Sequence, residues 1–451
     1  MRDFWRRKSL DFVGKIHLIK FNKETLLFDE SAGSLLLLDD AAVEVAKELE
    51  AGYYFDELES RIIDPIKIEA LMEFKKLAQG GLILNPVSFP RPQKLYPKSL
   101  CLIVSHACNM ACSYCSLSSV TNEGNLMKPE IAKLALDWLI RNAPGEKIDV
   151  DFFGGEPLLA WTTVKEAILF GEELAKSYAK KIRWSMSTNA IDLTEYILEF
   201  CQEHYISLVL SLDGPREIND LYRVLKNGEG SYNKVFENIL RVVNKRDRGY
   251  YVRGTYTKKT IDFADSIITL HKMGITSLAF EPVVTIDPNL AITLDDIPKI
   301  KDEYEKLARY YISCKQNNIP IRFYHFELDL ENGPCERKSA GGCGAGAEYL
   351  AISPKGDIWP CHQFDGMPET KLGTIFDPPG EDMFDRFAKL GHITGKQDCS
   401  ECWAAYLCAG GCLASNHLIE KNMTIPYKLG CALQKTRLDA ALWILYKLRS
   451  N

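Results

Sequence analysis

The middle of the chain alternates apolar runs with segments of helical periodicity. Between residues 100 and 325 the apolar runs are LCLIVS, IDVDFF, IRWSMS, ISLVLS, YVRGTYT and SLAFEP. The helical segments between them are Pro129 to Asn142, Thr162 to Ala179, Thr194 to His204, Tyr232 to Lys245 and Asp262 to Met273. Strands that alternate with helices predict parallel βαβ units. Six strands in succession predict an α/β fold, with the strands in a barrel or an open part of one.

The segment before this region has a different pattern. Short apolar runs between residues 13 and 38 are separated by turn residues at 22–23 and 31–33, which predicts strands. Asp39 and Asp40 predict the N-cap of a helix, and PIKIEALMEFKKLAQ predicts another that ends before Gly80. These elements predict a small module with its own core. A linker with extended backbone is expected next, because residues 84–100 contain Pro86, Pro90, Pro92 and Pro97.

Beyond residue 326 the chain is rich in Gly and Cys, with little periodicity before a final helix near Thr436 to Leu448. We expect such a segment to be held together by metal clusters in place of an apolar core. The chain is therefore divided into an N-terminal module with its linker (1–95), a central α/β domain (96–325) and a cysteine-rich domain (326–451).

Composition narrows the class of protein. Apolar residues make up 46 % of the 451 residues and charged residues 26 %, as in globular proteins. The net charge of −6 gives no general attraction to nucleic acid, and there is no apolar run long enough to span a membrane and no signal peptide. We expect a cytoplasmic protein without nucleic acid or membrane partners.

The 14 cysteines are then expected to be reduced, as metal ligands, catalytic groups or buried apolar residues. Cys101, Cys201 and Cys314 lie within strand or helix patterns and are predicted to be buried.

The stretch SHACNMACSYCSL places three cysteines directly after the first strand of the alternating region. In parallel barrels the loops that follow strands form the catalytic face. Three thiolates, from Cys108, Cys112 and Cys115, suit a four-iron, four-sulfur cluster that keeps one iron without a protein ligand. A zinc site with a fourth ligand such as His106 is the alternative.

The pattern C-x3-C-x-aromatic-C, with Tyr114 as the aromatic residue, resembles the signature of the radical S-adenosylmethionine (SAM) family. In that family the open iron is chelated by the amino and carboxylate groups of the methionine part of SAM. The stretch FFGGEPLL after the second strand resembles the GGEP motif of the family. Gly154 and Gly155 permit close backbone approach, and Glu156 can accept hydrogen bonds from an ammonium group. The resemblance implies that this site holds the amino group of SAM.

Polar residues follow the third and fourth strands in STNA and SLDG. By resemblance they contact the ribose hydroxyls and carboxylate of SAM, and an arginine after the fourth strand lies near SAM or the substrate. The residues concerned are Ser187, Asn189, Ser211, Asp213 and Arg223. The implied chemistry is reductive cleavage of SAM to a 5′-deoxyadenosyl radical that abstracts a substrate hydrogen. No catalytic side chain is assigned.

The C-terminal cysteines follow the spacings C-x12-G-x4-C and C-x2-C-x5-C-x3-C, with a further cysteine at 431. This pattern resembles the SPASM motif, which implies two auxiliary four-iron clusters and three clusters in all. The first would be held by Cys343, Cys361 and Cys412, with Cys335 as fourth ligand, and the second by Cys399, Cys402, Cys408 and Cys431. Without Cys335 the first cluster would have an open iron for a substrate thiolate. A double zinc domain is the alternative.

SPASM enzymes modify peptides, and the first 85 residues resemble the winged-helix-like recognition element of peptide maturases. Such an element pairs a leader peptide with a strand edge, although a plain packing domain is an equal interpretation. The wordings VDFFGGEP, GGCGAGAEYLAISPKGDIWPCHQF and CWAAYLCAGGC resemble maturases of the cysteine-rich SCIFF peptides. The implied reaction is a sactionine-type thioether between a Cys sulfur and a residue carbon in a leader-bearing precursor, with flavodoxin or ferredoxin as electron donor.

Two other functions stay open. An anaerobic sulfatase-maturing enzyme would oxidise Cys or Ser to formylglycine, and it would need a carboxylate base but no leader-binding module. A peptide binder stabilised by metal would have no catalytic activity.

Overall fold

A computed structural model describes residues 12–13, 15–21, 23–87, 89–92, 94–117, 124–246, 248–328, 330 and 340–449. The predicted ligand Cys335 lies outside these ranges. Within them, no helix is both long and apolar enough to cross a bilayer.

The N-terminal module contains an antiparallel three-stranded sheet followed by three helices. Its elements are β1 (Phe12–Val13), β2 (Ile16–Phe21), β3 (Glu24–Asp29), β4 (Ser34–Leu38), α1 (Asp40–Glu50), α2 (Phe55–Arg61), α3 (Pro65–Gln79) and β5 (Pro86–Val87). Asp39 caps α1 by accepting a hydrogen bond from the backbone N–H of Ala42, and Asp64 caps α3 in the same way. The predicted strands and helix starts are therefore confirmed. The linker contributes a two-residue strand, β5, that pairs with β1.

The central region is an alternation of parallel strands and helices. Its elements are β6 (Ser99–Ser105), α4 (Pro129–Asn142), β7 (Lys147–Gly154), α5 (Trp161–Ser177), β8 (Lys181–Thr188), α6 (Glu195–Glu203), β9 (Ser207–Ser211), α7 (Arg216–Tyr222), α8 (Tyr232–Lys245), β10 (Tyr250–Tyr256), α9 (Phe263–Lys272), β11 (Ser277–Pro282), α10 (Ile297–Gln316) and β12 (Arg322–Phe323). Neighbouring strands from β6 to β12 all pair in parallel. The six predicted strands and the α/β fold class are confirmed, and β12 was too short to predict.

The C-terminal region adds strands to the same sheet. It contains β13 (Tyr349–Ile352), β14 (Asp357–Trp359), β15 (Gly373–Thr374), α11 (Glu381–Gly391), α12 (Ala405–Cys408), α13 (Leu413–Glu420) and α14 (Lys428–Arg449). β13 runs parallel to β6, so the ten strands lie in the order β12-β11-β10-β9-β8-β7-β6-β13-β14-β15. The sheet thus crosses the predicted boundary at residues 325–326.

The expectation that the C-terminal region has no apolar core is wrong. Trp359, Phe364, Phe387 and Leu413 are buried together with Ile103 of β6 in one apolar cluster. Strands of two to four residues carry no readable periodicity, which is why this core was not visible in the sequence. Cys101, Cys201 and Cys314 are buried, as predicted.

The N-terminal sheet packs against the C-terminal region. The rings of Phe21 and Trp443 stack with centroids 3.9 Å apart, and those of His17 and Trp403 at 3.8 Å. His17 also contacts Asp439 of α14 through Nε2, at 3.0 Å. Because β3 is the middle strand of three, β4 is left as one edge of this sheet.

Candidate functional site

The cysteine loop that follows β6 lies directly against the Gly-Gly-Glu turn at the end of β7. The backbone N–H of Gly155 donates to Ser105 O at 2.8 Å, and that of Glu156 donates to Ala107 O at 2.9 Å. A Cβ atom on Gly154 would lie 2.2 Å from Ser105 O, and one on Gly155 would lie 2.4 Å from Ala107 O. Gly154 also has φ +143°. Both positions require glycine, because backbone atoms at the start of the cysteine loop lie where a Cβ atom would be.

The far side of the loop is held by the segment that ends α7. Ala111 N–H donates to Val224 O at 2.8 Å, and Ser113 N–H donates to Tyr222 O at 3.2 Å. The three cysteines are therefore carried on backbone that is fixed from both sides.

The three thiols of the loop are partly buried and close enough to influence one another. Burial raises the pKa of Cys108 to about 11, and negative charge on Cys112 and Cys115 adds to this rise. Burial also raises the pKa of Cys112, and the guanidinium of Arg223 opposes it. Cys108 and Cys112 are therefore protonated at neutral pH, and ligation of a metal would release their protons.

Glu156 is fully buried and is held by its own chain. Its Oε1 accepts hydrogen bonds from Leu158 N–H at 3.0 Å and Thr188 Oγ1 at 2.7 Å. Its Oε2 accepts one from Asn189 N–H at 2.8 Å, which leaves that oxygen room for a further donor. Burial raises the pKa of this carboxyl group to about 7, although these hydrogen bonds oppose the rise. A bound cation would complete the site by balancing the buried negative charge.

Asn189 connects this carboxylate with the cysteine loop. Its Nδ2 donates to Asn109 Oδ1 at 2.7 Å and approaches Cys108 Sγ at 3.8 Å. The predicted residues Asn189 and Glu156 thus lie together beside the first thiol.

Tyr114, Asp213 and Arg223 form a buried polar group on the other side of the loop. Tyr114 OH donates to Asp213 Oδ2 at 2.5 Å and accepts from Arg223 Nη1 at 3.0 Å. Asp213 Oδ1 accepts from Thr255 N–H at 2.9 Å. Within the described part of the chain, Arg223 Nε is buried without a hydrogen-bond partner, a costly arrangement that a ligand with an acceptor oxygen would relieve.

Ser187 and Ser211 are half-buried near the ends of β8 and β9. They alternate with the fully buried Met186 and Leu210, and so lie on the other face of the sheet from these apolar side chains. Their role as SAM contacts stays a prediction.

His106, the alternative fourth ligand, is engaged with an aspartate of the C-terminal region. It is buried, and its Nε2 lies 2.6 Å from Oδ2 of Asp365 in the C-terminal region. Among the described residues, no three His, Cys, Asp or Glu side chains are grouped to hold a single metal ion. The ligands of a four-iron cluster bind different corners of the cluster and do not need to converge on one ion.

The C-terminal thiols fall into two sets. Burial raises the pKa of Cys361, and negative charge on Cys412 and Cys343 adds to it. Cys343 lines a small cavity whose walls include Gly341, Gly342, Gly344 and Gly411.

In the second set, burial raises the pKa of Cys399 to about 11, and negative charge on Cys408, Cys431 and Cys402 adds to it. The thiols of both sets suit iron as donors. The assignment of ligands stays a prediction.

Several polar residues near the carboxyl ends of the strands were not found from the sequence. Glu281 Oε1 at the end of β11 lies 3.1 Å from His325 Nε2, and Glu281 Oε2 lies 3.3 Å from Arg437 Nη1 of α14. His362 follows Cys361, and its ring centroid lies 4.4 Å from that of Phe153. Polar residues that alternate with buried apolar residues in β10 and β11 were the available signal, as in Arg253 beside Val252.

Comparison with known proteins adds to this geometry. Residues 102–257 match the Radical SAM superfamily. The chain is 27 % identical to the cysteine-type anaerobic sulfatase-maturating enzyme of Clostridium novyi, over 70 % of this chain and 88 % of that protein.

Two solved structures share the fold. Native anSMEcpe with bound AdoMet is 22 % identical, with a TM-score of 0.66 over 79 % of this chain and 100 % of that chain. Streptococcus suis SuiB bound to precursor peptide SuiA is 18 % identical, with a TM-score of 0.53 over 92 % of this chain and 99 % of that chain.

Proposed function

We propose that this enzyme, whose residues 102–257 are of the radical SAM superfamily, forms thioether crosslinks in a leader-bearing, cysteine-rich peptide made by the ribosome. The bond would join a Cys sulfur to a carbon of another residue, as in sactionines. The observation that carries the proposal is the presence, in one chain, of a strand edge in the N-terminal module together with a three-thiol loop and two further thiol sets.

The three-thiol loop and its neighbours suit SAM and a four-iron cluster. Cys108, Cys112 and Cys115 would hold the cluster. Glu156, with its spare acceptor capacity, would receive the amino group of SAM, and Arg223 would receive an acceptor oxygen. When bound, this cofactor pair supplies abstraction of a hydrogen atom from a substrate carbon. The chain orients the pair and excludes water from it.

The C-terminal sets would hold two auxiliary clusters. If Cys335 does not bind, the site of Cys343, Cys361 and Cys412 has three protein ligands and room for a substrate thiolate. The contact between His106 and Asp365 ties the loop of Cys108 to the turn after Cys361. A substrate sulfur and a substrate carbon would thus be held by parts of the chain that touch, which favours their reaction by proximity.

The N-terminal module would bind the leader of the peptide. β4 is an edge of its sheet, and Leu37 on this strand is 49 % exposed. Exposed apolar residues of the same module include Ile63, Ile66 and Met72. A leader strand could pair with β4 and cover part of this apolar surface. A small reduced protein such as flavodoxin or ferredoxin would supply electrons, which fits a cytoplasmic enzyme.

The test uses full-length protein reconstituted with iron and sulfide without air. It is mixed with SAM, dithionite and a synthetic cysteine-rich precursor, and the products are analysed by mass spectrometry. We expect 5′-deoxyadenosine and a loss of two hydrogens per crosslink. A protein that takes up iron but forms no 5′-deoxyadenosine would be a metal-stabilised binder instead.

Formylglycine formation is the second candidate, because anaerobic sulfatase-maturating enzymes are among the similar proteins. It requires a carboxylate base. Burial would raise the pKa of Glu281, but the hydrogen bond from His325 and the nearby Arg437 outweigh it and lower the pKa to about 2. Asp151 is the better base, because burial raises its pKa. Conversion of a Cys side chain to an aldehyde in a sulfatase peptide, without crosslinks in the precursor, would favour this function.

A further inference from the structure

Lys396 is a buried cation that lies between the two C-terminal thiol sets. Only 5 % of this residue is exposed. Its Nζ donates to Ala409 O at 3.1 Å and approaches Gly411 O at 3.4 Å. Ala409 directly follows Cys408 of one set, and Gly411 directly precedes Cys412 of the other. The ammonium group is therefore bound to the short segment that joins the two sets.

This segment is shaped around the lysine. Ala409, Gly410 and Gly411 have φ of 56°, 77° and 72°, so three successive residues are in the left-handed region. A Cβ on Gly410 would lie 2.5 Å from Cδ and 2.9 Å from Nζ of Lys396. The left-handed conformation is costly for Ala409, and the bond from Nζ helps to maintain it. The side chain of Lys396 also lines the cavity beside Cys343.

The charge of Lys396 acts on both sets. Burial lowers the pKa of Lys396, and negative charge on Cys399 and Cys408 of one set, and on Cys343 and Cys412 of the other, opposes this fall without reversing it. Conversely, its charge opposes the rise in the pKa of Cys399 and of Cys343. A cation in a buried site interacts with neighbouring charges more strongly than it would in water.

We propose that Lys396 is a shared cation of the two auxiliary cluster sites and raises the reduction potential of both. The inference rests on the proposed function, in that these seven cysteines hold iron–sulfur clusters. A reduced cluster carries one more negative charge than an oxidised one. A fixed positive charge beside it therefore stabilises the reduced form, and the charge around a cluster is one of the properties that set its potential.

The test compares Lys396→Arg, Lys396→Gln and Lys396→Met with the wild type in reconstituted full-length protein. Lys389→Met, an exposed lysine on α11, is the matched control. Iron and sulfide are counted, and midpoint potentials are measured by potentiometric titration followed by electron paramagnetic resonance. We expect both auxiliary centres to shift to lower potential in K396Q and K396M and to stay near the wild-type values in K396R and K389M. The cluster of the thiol loop after β6 serves as an internal reference and should not shift.

Two results would overturn this inference alone. One is three clusters in K396Q with unchanged potentials. The other is equal loss of iron from K396Q and K396R, which would show that Lys396 acts only by packing. A wild type that binds only about four irons would overturn the auxiliary sites of the proposed function, and Lys396 would then have no centre to act on.

Discussion

The thiol loop after β6 and the cysteine-rich region of residues 343–431 both contain clustered thiols, but the groups that surround the thiols differ. In the first, three thiols lie beside Glu156, Asp213 and Arg223, which come from the ends of different strands or the segments after them. In the second, the described neighbours of the thiols include backbone carbonyl groups and the buried cation Lys396. Polar side chains with unused hydrogen-bonding capacity suit a small polar ligand in addition to a metal. Thiols whose neighbours are backbone groups and a cation suit a metal cluster.

Removing one thiol from each region is the strongest test of this comparison. Cys112→Ala should lose about four irons and all 5′-deoxyadenosine formation, because the cluster that binds SAM is absent. Cys402→Ala should lose a similar amount of iron and the crosslinking activity, but it should still cleave SAM. Cys201→Ala, which removes a buried thiol of α6, is the control and should keep its iron. Iron analysis and product analysis measure both effects, and equal loss of SAM cleavage in C112A and C402A would contradict the comparison.

Arg223 tests whether the first region is built for a ligand. Arg223→Met should weaken SAM binding by roughly 10- to 100-fold, the effect expected when a charged hydrogen bond is lost. Equilibrium dialysis measures the affinity, and thermal unfolding shows how far the loss of the bond to Tyr114 destabilises the fold. Arg216→Met, an exposed arginine on α7, should bind SAM normally. Unchanged affinity in R223M would place Arg223 outside the SAM site.

Glu156 should make the first region sensitive to pH. Burial raises its pKa from 4.5 to about 7. The unfolded chain therefore loses the proton at lower pH than the folded chain does, and this group's contribution to stability falls as pH rises from about 4.5 to 7. The size of the fall is up to about 3 kcal/mol.

Glu156→Gln should reduce this slope in urea unfolding measured at several pH values. In the wild type SAM binding should tighten as pH rises through about 7, since the ionised carboxylate is the form that binds an ammonium group. A wild type and an E156Q variant with the same pH dependence would show that Glu156 does not titrate in this range.

A substitution outside both regions should leave both unchanged. Leu37→Glu puts a charge on the edge strand β4 and should weaken leader binding about tenfold, as loss of a partly buried apolar contact does. Uncoupled SAM cleavage should be normal. Leu169→Glu, an equally exposed leucine on α5, is the control. Fluorescence anisotropy of a labelled leader measures binding, and normal binding by L37E would favour a packing role for the module.

This substitution is preferable to deletion of the first 90 residues. Phe21 and Phe28 of the module belong to the same apolar core as Trp443 of α14. A deletion would expose this core, and loss of activity would then report unfolding instead of leader binding.

The sequence was sufficient where periodicity or spacing is local. The helix over Pro65–Gln79 has its Pro at the first position and its cap at Asp64, and both ends were predicted correctly. The grouping of the C-terminal thiols came from the resemblance to the SPASM motif and stays a prediction. β13 was not predicted, because it has only four residues and its partner strand, β6, is distant in the sequence.

The polar contacts of the sites were less accessible to sequence reasoning. Asp213 was predicted as a contact of SAM and Arg223 as a residue near SAM or the substrate, but the hydrogen bonds of both to Tyr114 depend on the tertiary fold. Lys396 gave no signal, because its role depends on three successive left-handed residues that bend the chain around it.

Because β6 pairs with β13, the central sheet cannot finish folding until the ribosome has synthesised β13. One edge of β6, which includes the buried Leu100 and Leu102, has no partner until Tyr349 to Ile352 have left the ribosome. At ordinary translation rates this takes roughly 10 to 50 s. During that time the nascent chain presents an open apolar strand, so a chaperone or slow, cool expression should increase the yield of the intact protein. Fragments that stop before residue 349 should aggregate.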